Sequence, residues 1–418
     1  LKFKISILLI SLHCVMVMAQ RNEIFAFNIA SLQVVANNNW LNPLPIITLD
    51  GLDNDEMVCI SFDELSHLTH RYSYIIKHCE ADWSPSQELI ESDYVDGFAS
   101  GNTIDDYEQS INTNTQYTHY KLTIPNDKCR PKISGNYTVT VIDEDQDNAQ
   151  ILKACFMITE QSMKSDMSQT SNTDIDINKS HQQISMSLNF GSNKVLSPST
   201  QIKTVVLQNG RWDNAVKNAK PQYIKNDGMI WSHNQKLIFP GGNEYRKFET
   251  LDPTHTTMGV EQVGWDGNAY HAWIFTDEPR ENYLYDEDAN GAFCIRNSDN
   301  VDNDTKSEYI QTHFTLNAPR QSDDVFINGS LTQDSSDKKF LMSWNENDGL
   351  YEAVVPLKQG YYNYQYITRN ADGSFAPLPS EGNFYQTENS YQLLVYFRGQ
   401  GERTDRLVSY FNLSCRQP

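Results

Sequence analysis

Two histidines three residues apart, His67 and His70 in the string HLTH with Glu64 upstream, come nearest to a zinc-ligand spacing. Zinc needs three or four such groups, and no third ligand has a readable place nearby, so the simpler reading is a surface turn carrying two histidines. Asp286, Asp288, Asn290 and Gly291 repeat the first half of a calcium loop, D-x-D-x-N-G, in which alternate oxygens converge on the ion and the glycine makes the turn. The twelfth position, where a bidentate glutamate belongs, is Asn297, and apolar residues flank the motif, so Asn290-Gly291 reads more simply as a hairpin turn. A third group is larger: Asp82, Glu88, Glu91, Asp93, Asp96, Asp105, Asp106 and Glu108 alternate with Trp83, Tyr94, Phe98 and Tyr107. Carboxylates among aromatics suit a glycosidase cleft, but spacing in sequence sets no catalytic separation. The same residues suit a loop that packs its rings and solvates its acids, or a rim that binds a protein. GxSxG, HExxH, GxxxxGK[ST] and GxGxxG are all absent from the chain. The residues thus predict no catalytic residue, no cofactor, no metal and no small-molecule substrate.

The mixed acidic and aromatic group lies inside residues 71–120, which open on an aromatic strand pattern (Tyr72, Tyr74, Ile76) and return through YTHYKL. Excursions this long without helical periodicity are uncommon in compact domains and often carry function. Trp83, Tyr94, Phe98 and Tyr107 are therefore the candidate partner-binding residues, although Trp83 also suits a core.

The remaining elements follow from period-2 alternation. MVCISFDEL puts Val58, Ile60 and Phe62 on one face, and NYTVTVID does the same for Tyr137, Val139 and Val141. Short strands bounded by Gly, Asn, Asp and Pro recur along the chain, and no long helical period appears, so the expected class is all-β, as tandem immunoglobulin-like β-sandwiches. The expected division is residues 20–160 for the first, 161–319 for the second and 320–418 for the third, with the polar stretch 161–180 as a linker blending into a first strand. In the third segment the Val-x-Ile-x-Gly start of DVFINGSL, Trp344, the strand Glu352 to Leu357 and the run Gly360-Tyr361-Tyr362-x-Tyr364-x-Tyr366 resemble early-set immunoglobulin-like modules, some of which bind glycogen or starch. That supplies a second functional reading, a carbohydrate-binding accessory module, with Trp344 as its one sugar-facing candidate.

Residues 1–19 carry Lys2 and Lys4, an apolar run and small residues at Val17-Met18-Ala19, the pattern of a secretory signal peptide with cleavage before Gln20. No other apolar run approaches the ~20 residues of a membrane helix. With 33 basic and 54 acidic residues the formal net charge is −21. Nucleic acid and anionic lipid both require basic patches and are excluded as partners. Beyond Cys14, six cysteines remain (Cys59, Cys79, Cys129, Cys155, Cys294 and Cys415), none in a CxxC pair. An exported setting permits disulfides; free buried thiols are the simpler expectation, with a bridge among the first four still open.

Longer strings carry a resemblance. HCEADWSPS, DYVDGF, DYEQSINTNTQYTHYKLTIP and SGNYTVTVID, followed by FPGGNEYRKFE, YLYDEDANGAFCIRN, EYIQTHFTLNAP and DVFINGSL, resemble the plug protein of the type IX secretion system of Gram-negative bacteria. The resemblance implies a non-enzymatic periplasmic protein that binds the outer-membrane translocon barrel and seals its periplasmic opening.

Overall fold

The computed structural model describes residues 21–333, 337–370 and 375–414. The signal-peptide expectation and Cys415 therefore lie outside the described residues. The regular secondary structure of the described residues is nearly all strand, arranged as β-sandwiches.

In the first sandwich, β1 (Ile29–Ala36), β2 (Val58–Glu64), β3 (Tyr72–Cys79), β4 (Asp106–Gln109), β5 (Thr118–Ile124), β6 (Gly135–Asp143) and β7 (Ala149–Thr159) form two sheets. One runs β7-β6-β3 and the other β1-β2-β5-β4. The alternating residues fill the space between them: Val58, Ile60 and Phe62 from β2 meet Tyr137, Val139 and Val141 from β6 in one buried cluster.

The second sandwich departs from expectation at both ends. Within residues 161–180 the strand begins earlier than a linker would allow, because β8 (Lys164–Thr170) pairs along its whole length with β9 (His181–Asn189). Met163 and Met167 enter the core, Ser165 between them is buried with its Oγ 2.8 Å from Ser409 Oγ, and Lys164 and Asp166 face out. After β10 (Ile202–Gln208), β11 (Arg211–Lys217) and β12 (Gly228–Trp231), the chain leaves and builds the third sandwich before it returns.

The third sandwich comprises β13 (Arg246–Glu249), β14 (Val260–Trp265), β15 (Tyr270–Ile274), β16 (Phe293–Ile295), β17 (Tyr309–Leu316), β18 (Asp324–Asn328), β19 (Leu350–Lys358) and β20 (Gly360–Arg369). One sheet centres on β20, flanked by β13, β16 and β18; the other runs β14-β15-β17-β19. Only then do β21 (Ser390–Phe397) and β22 (Arg406–Ser414) complete the second sandwich, in the order β11-β10-β21-β22. The boundary expected at 319/320 thus falls within one sandwich. β17 and β19, on opposite sides of that boundary, pair over eight residues. Period-2 alternation marks strands and says nothing of which distant strand closes a sheet, so a sandwich inserted into another reads as two in succession.

The described cysteines are all free. Among the described residues no helix is long and apolar enough to cross a membrane.

Candidate partner-binding site

The excursion between β3 and β4 is tied down at every turn. Val95–Gly97 pairs with Cys129–Pro131, Asn102–Thr103 pairs with β3, and β4 pairs with β5. Its first segment, HCEADWSPS, faces inward. Glu80 N–H donates to Ser84 O (2.8 Å), Trp83 N–H donates to Glu80 O (2.9 Å), and Asp82 Oδ1 accepts from Ser84 N–H (3.0 Å). This tight turn holds Trp83 at φ +68°, a left-handed conformation that bulky residues rarely adopt. Packing holds it there. Trp83 is 2% exposed and sits edge-on to Trp212 of β11, with ring centroids 5.6 Å apart. Around them Leu44, Ala81 and Met157 of the first sandwich meet Val205, Leu207, Leu394 and Leu407 of the second.

Polar groups of the same string complete that joint. Glu80 forms an ion pair with Arg398 and accepts from Asp405 N–H (2.9 Å), while Ala81 N–H donates to Asp405 Oδ2 (3.1 Å). Lys203 and the Arg398 Nε hold the Asp405 carboxylate at 2.7 and 3.1 Å. His78 donates through Nε2 to Ser134 O (3.1 Å), which leaves Nδ1 to accept from Ser86 Oγ (2.8 Å), itself 3.0 Å from Thr404 Oγ1. Burial pushes the His78 imidazole down to about 4, so it is neutral in this setting. Opposite the ring stands Gly135 at φ +141°, where a Cβ would lie 2.2 Å from His78 Nε2.

A second joint fixes the first sandwich to the third. Asp63, at the end of β2, and Lys358, at the end of β19, are both buried and 2.7 Å apart. Tyr309 O–H donates to Asp63 (2.7 Å), His119 Nδ1 is 2.6 Å from it, and the Lys358 ammonium lies 4.1 Å from the centre of the Tyr117 ring. Burial pushes the Asp63 carboxyl up, and Lys358 with His119 more than offsets this, holding it below its ordinary value. Tyr117 O–H donates to Ser307 O (2.8 Å), and Glu308 accepts the Asn114 and Thr115 N–H groups.

Of the four candidate partner-binding residues, the structure withdraws two. Trp83 belongs to the inter-sandwich core, and Tyr94, 7% exposed, packs in the core of the first sandwich near His78 and Tyr137. Neither ring presents itself to a partner. Phe98 is 69% exposed, and Tyr107 is 43% exposed on the edge strand β4, its ring leaning on Tyr120 at 5.5 Å. No residue pattern separates the two pairs, because all four rings sit in equally polar text.

The carboxylates disperse. Asp93 pairs with Arg403 (2.9 Å), Asp96 with Lys132 (3.5 Å) and Asp105 with Lys128 (2.5 Å), each with its own cation. Asp286 pairs with Lys247 (2.5 Å), while Asp288, buried, accepts the Tyr245 and Asn290 N–H groups. Asn290 (φ +50°) and Gly291 (φ +87°) form a tight turn, as expected, but residues 283–286 before it pair in no sheet, so the turn closes no hairpin. His67 and His70 diverge: His67 Nε2 meets Ser110 Oγ at 2.9 Å, and His70 Nδ1 meets Asp143 Oδ2 at 3.1 Å. Trp344 is partly buried against the core of the third sandwich, edge-on to Tyr351 at 4.9 Å.

Residues 29–160 match the family described as type 9 secretion system plug protein, first domain. The crystal structure of a hypothetical protein from Parabacteroides merdae is similar over 95% of this chain and 100% of its own, at 39% identity and a TM-score of 0.91. No curated protein matches the chain.

Proposed function

This chain belongs to the type 9 secretion system plug family, and on that premise we propose that it is a non-enzymatic periplasmic plug that binds the outer-membrane translocon barrel and closes its periplasmic opening. The match over residues 29–160 carries the reading. The two joints support it physically. A wide β-barrel leaves an aqueous lumen that its own side chains do not fill, so occlusion requires a folded body. Three sandwiches joined through buried residues at Trp83 and Asp63 form such a body, because each joint uses buried groups that are costly to separate.

Docking falls to the exposed part of the excursion, Phe98 and Tyr107. Interfaces are anchored by a few aromatics whose truncation costs ~2 kcal/mol or more, roughly thirtyfold in binding. Phe98→Ala and Tyr107→Ala should keep the wild-type Tm, since neither ring is buried, and should lower co-purification with the barrel from solubilised outer membrane by about that factor. Cells carrying both should admit large hydrophilic antibiotics. Wild-type yield of the barrel with the double variant would place docking on another surface.

A further inference from the structure

We infer that His70, Asp143 and Asp145 form a divalent-cation site, of the mixed nitrogen and oxygen type that zinc accepts, at the end of the first sandwich where β3 begins and β6 finishes. Ligand atoms of the three residues lie within 4.8 Å of one another. The backbone brings them together: β3 and β6 pair so that Asp143 lies opposite Tyr72, Glu144 N–H donates to Arg71 O (3.1 Å), and Arg71 N–H donates to Asp145 Oδ2 (2.9 Å). Asp145 N–H in turn donates to Asp143 Oδ1 (2.9 Å), which fixes one carboxylate relative to the other.

Charge supplies an independent argument. Glu64 and Asp143 have side chains 2% and 1% exposed, and among the described residues the only basic side chain in ion-pair range of either is the imidazole of His70, at 3.4 and 3.1 Å. A single ring thus stands between two buried carboxylates, and buried carboxylates are costly without a counter-charge. A dication on the Nδ1 side, shared by His70, Asp143 and Asp145, balances both aspartates. Glu64 then stands at the other ring nitrogen, where a carboxylate commonly orients a ligating histidine. Asp145 is exposed and opens the cluster to solvent. Imidazole with carboxylates suits zinc, at about 2.0–2.2 Å per bond, with water completing a tetrahedron. From sequence only His70 and Glu64 drew notice, because the other ligands lie 73 and 75 positions after His70.

The test titrates the full chain, freed of metal with EDTA, with zinc chloride in a calorimeter and follows Tm. Saturation at one equivalent with a rise in Tm is expected, since a ligand that binds the folded state alone stabilises it. Asp145→Asn, at an exposed position, should keep the metal-free Tm and weaken binding about tenfold or more, while Asp147→Asn, equally exposed and outside the cluster, should bind as the wild type does. His271 and His313 form another close pair, with Nδ1 and Nε2 2.8 Å apart. His313→Gln should therefore leave the titration unchanged. The inference falls if there is no stoichiometric binding, if Asp145→Asn binds like wild type, if Asp147→Asn weakens binding equally, or if His313→Gln abolishes it.

Discussion

At the scale of single residues, the string that drew attention for its chemistry serves as a fastener. Three groups in HCEADWSPS have partners that no local pattern announces: Glu80 waits for Arg398, Trp83 for Trp212, Ser86 for Thr404. Residue type did foretell that these groups are used, since a Trp and a Glu three residues apart need packing and a counter-charge. It left open whether a partner protein or the same chain would provide them. His78 gives this fastener a pH dependence. Its folded value of about 4 lies below the ordinary 6.5, so the unfolded chain takes up a proton first as pH falls. The stability held at pH 7 is therefore lost progressively between 6.5 and 4, by roughly 3 kcal/mol for a shift of this size. The low value of Asp63 acts in the same sense at lower pH, below the ordinary carboxylate range. Burial also lowers His313, so the wild-type profile sums two histidines, and comparison with His78→Gln isolates one. Thermal melts from pH 7 to pH 4.5 should show a shallower loss of Tm in His78→Gln than in wild type. Parallel profiles would mean that His78 is not the group responsible.

At the scale of elements, alternation was legible wherever apolar residues supplied it, as in β2 and β6, whose inward residues are those the pattern picked out. It failed where a strand needed only two apolar anchors. β8 reads KSDMSQT, polar enough for a linker, yet its Met167 and the Met163 just before it lie four apart and so on one face of the extended chain. An edge strand covering one side of a core requires no more than that. Met167→Asp would bury an unpaired charge and should lower stability by several kcal/mol. Ser168→Asp, on the outward face, should change it by no more than about 0.5 kcal/mol. Urea melts of the two variants decide the matter, and equal small effects would restore the linker. The excursion shows the converse failure. Its aromatic content suggested a single surface, but β-pairing at three places divides it into a buried half with Trp83 and Tyr94 and an exposed half with Phe98 and Tyr107.

At the scale of the whole molecule, the order of sandwiches along the chain is not their order in space, and this is the part that sequence left dark. β10 pairs with β21, nearly two hundred residues later, across the entire third sandwich. The chain enters and leaves that insertion at adjoining points: Gly242 N–H donates to Asn383 Oδ1 (2.8 Å), Phe384 N–H donates to Gly242 O (2.8 Å), and Asn389 Nδ2 donates to Gly241 O (2.7 Å). Ends this close make an insertion separable, because a short linker closes them at little entropic cost. Replacing residues 245–382 by a short Gly/Ser linker should therefore leave the first two sandwiches folded, with the cores around Tyr137 and Trp231 intact. Asp63 loses Lys358 in that variant but becomes open to water, so its charge is solvated and the cost stays moderate. Truncation after Pro319, at the boundary the sequence suggested, removes more of the second sandwich than its length implies. It takes away β21 and β22, strips Val205 and Leu207 of Leu394 and Leu407, and leaves β17 without β19. The excised variant should be monomeric and show a cooperative melt by circular dichroism; the truncated chain, with apolar faces uncovered on two sandwiches, should aggregate. If the truncated chain melts cooperatively and the excised one does not, the second sandwich is closed within residues 161–319 and β21 and β22 belong with the third.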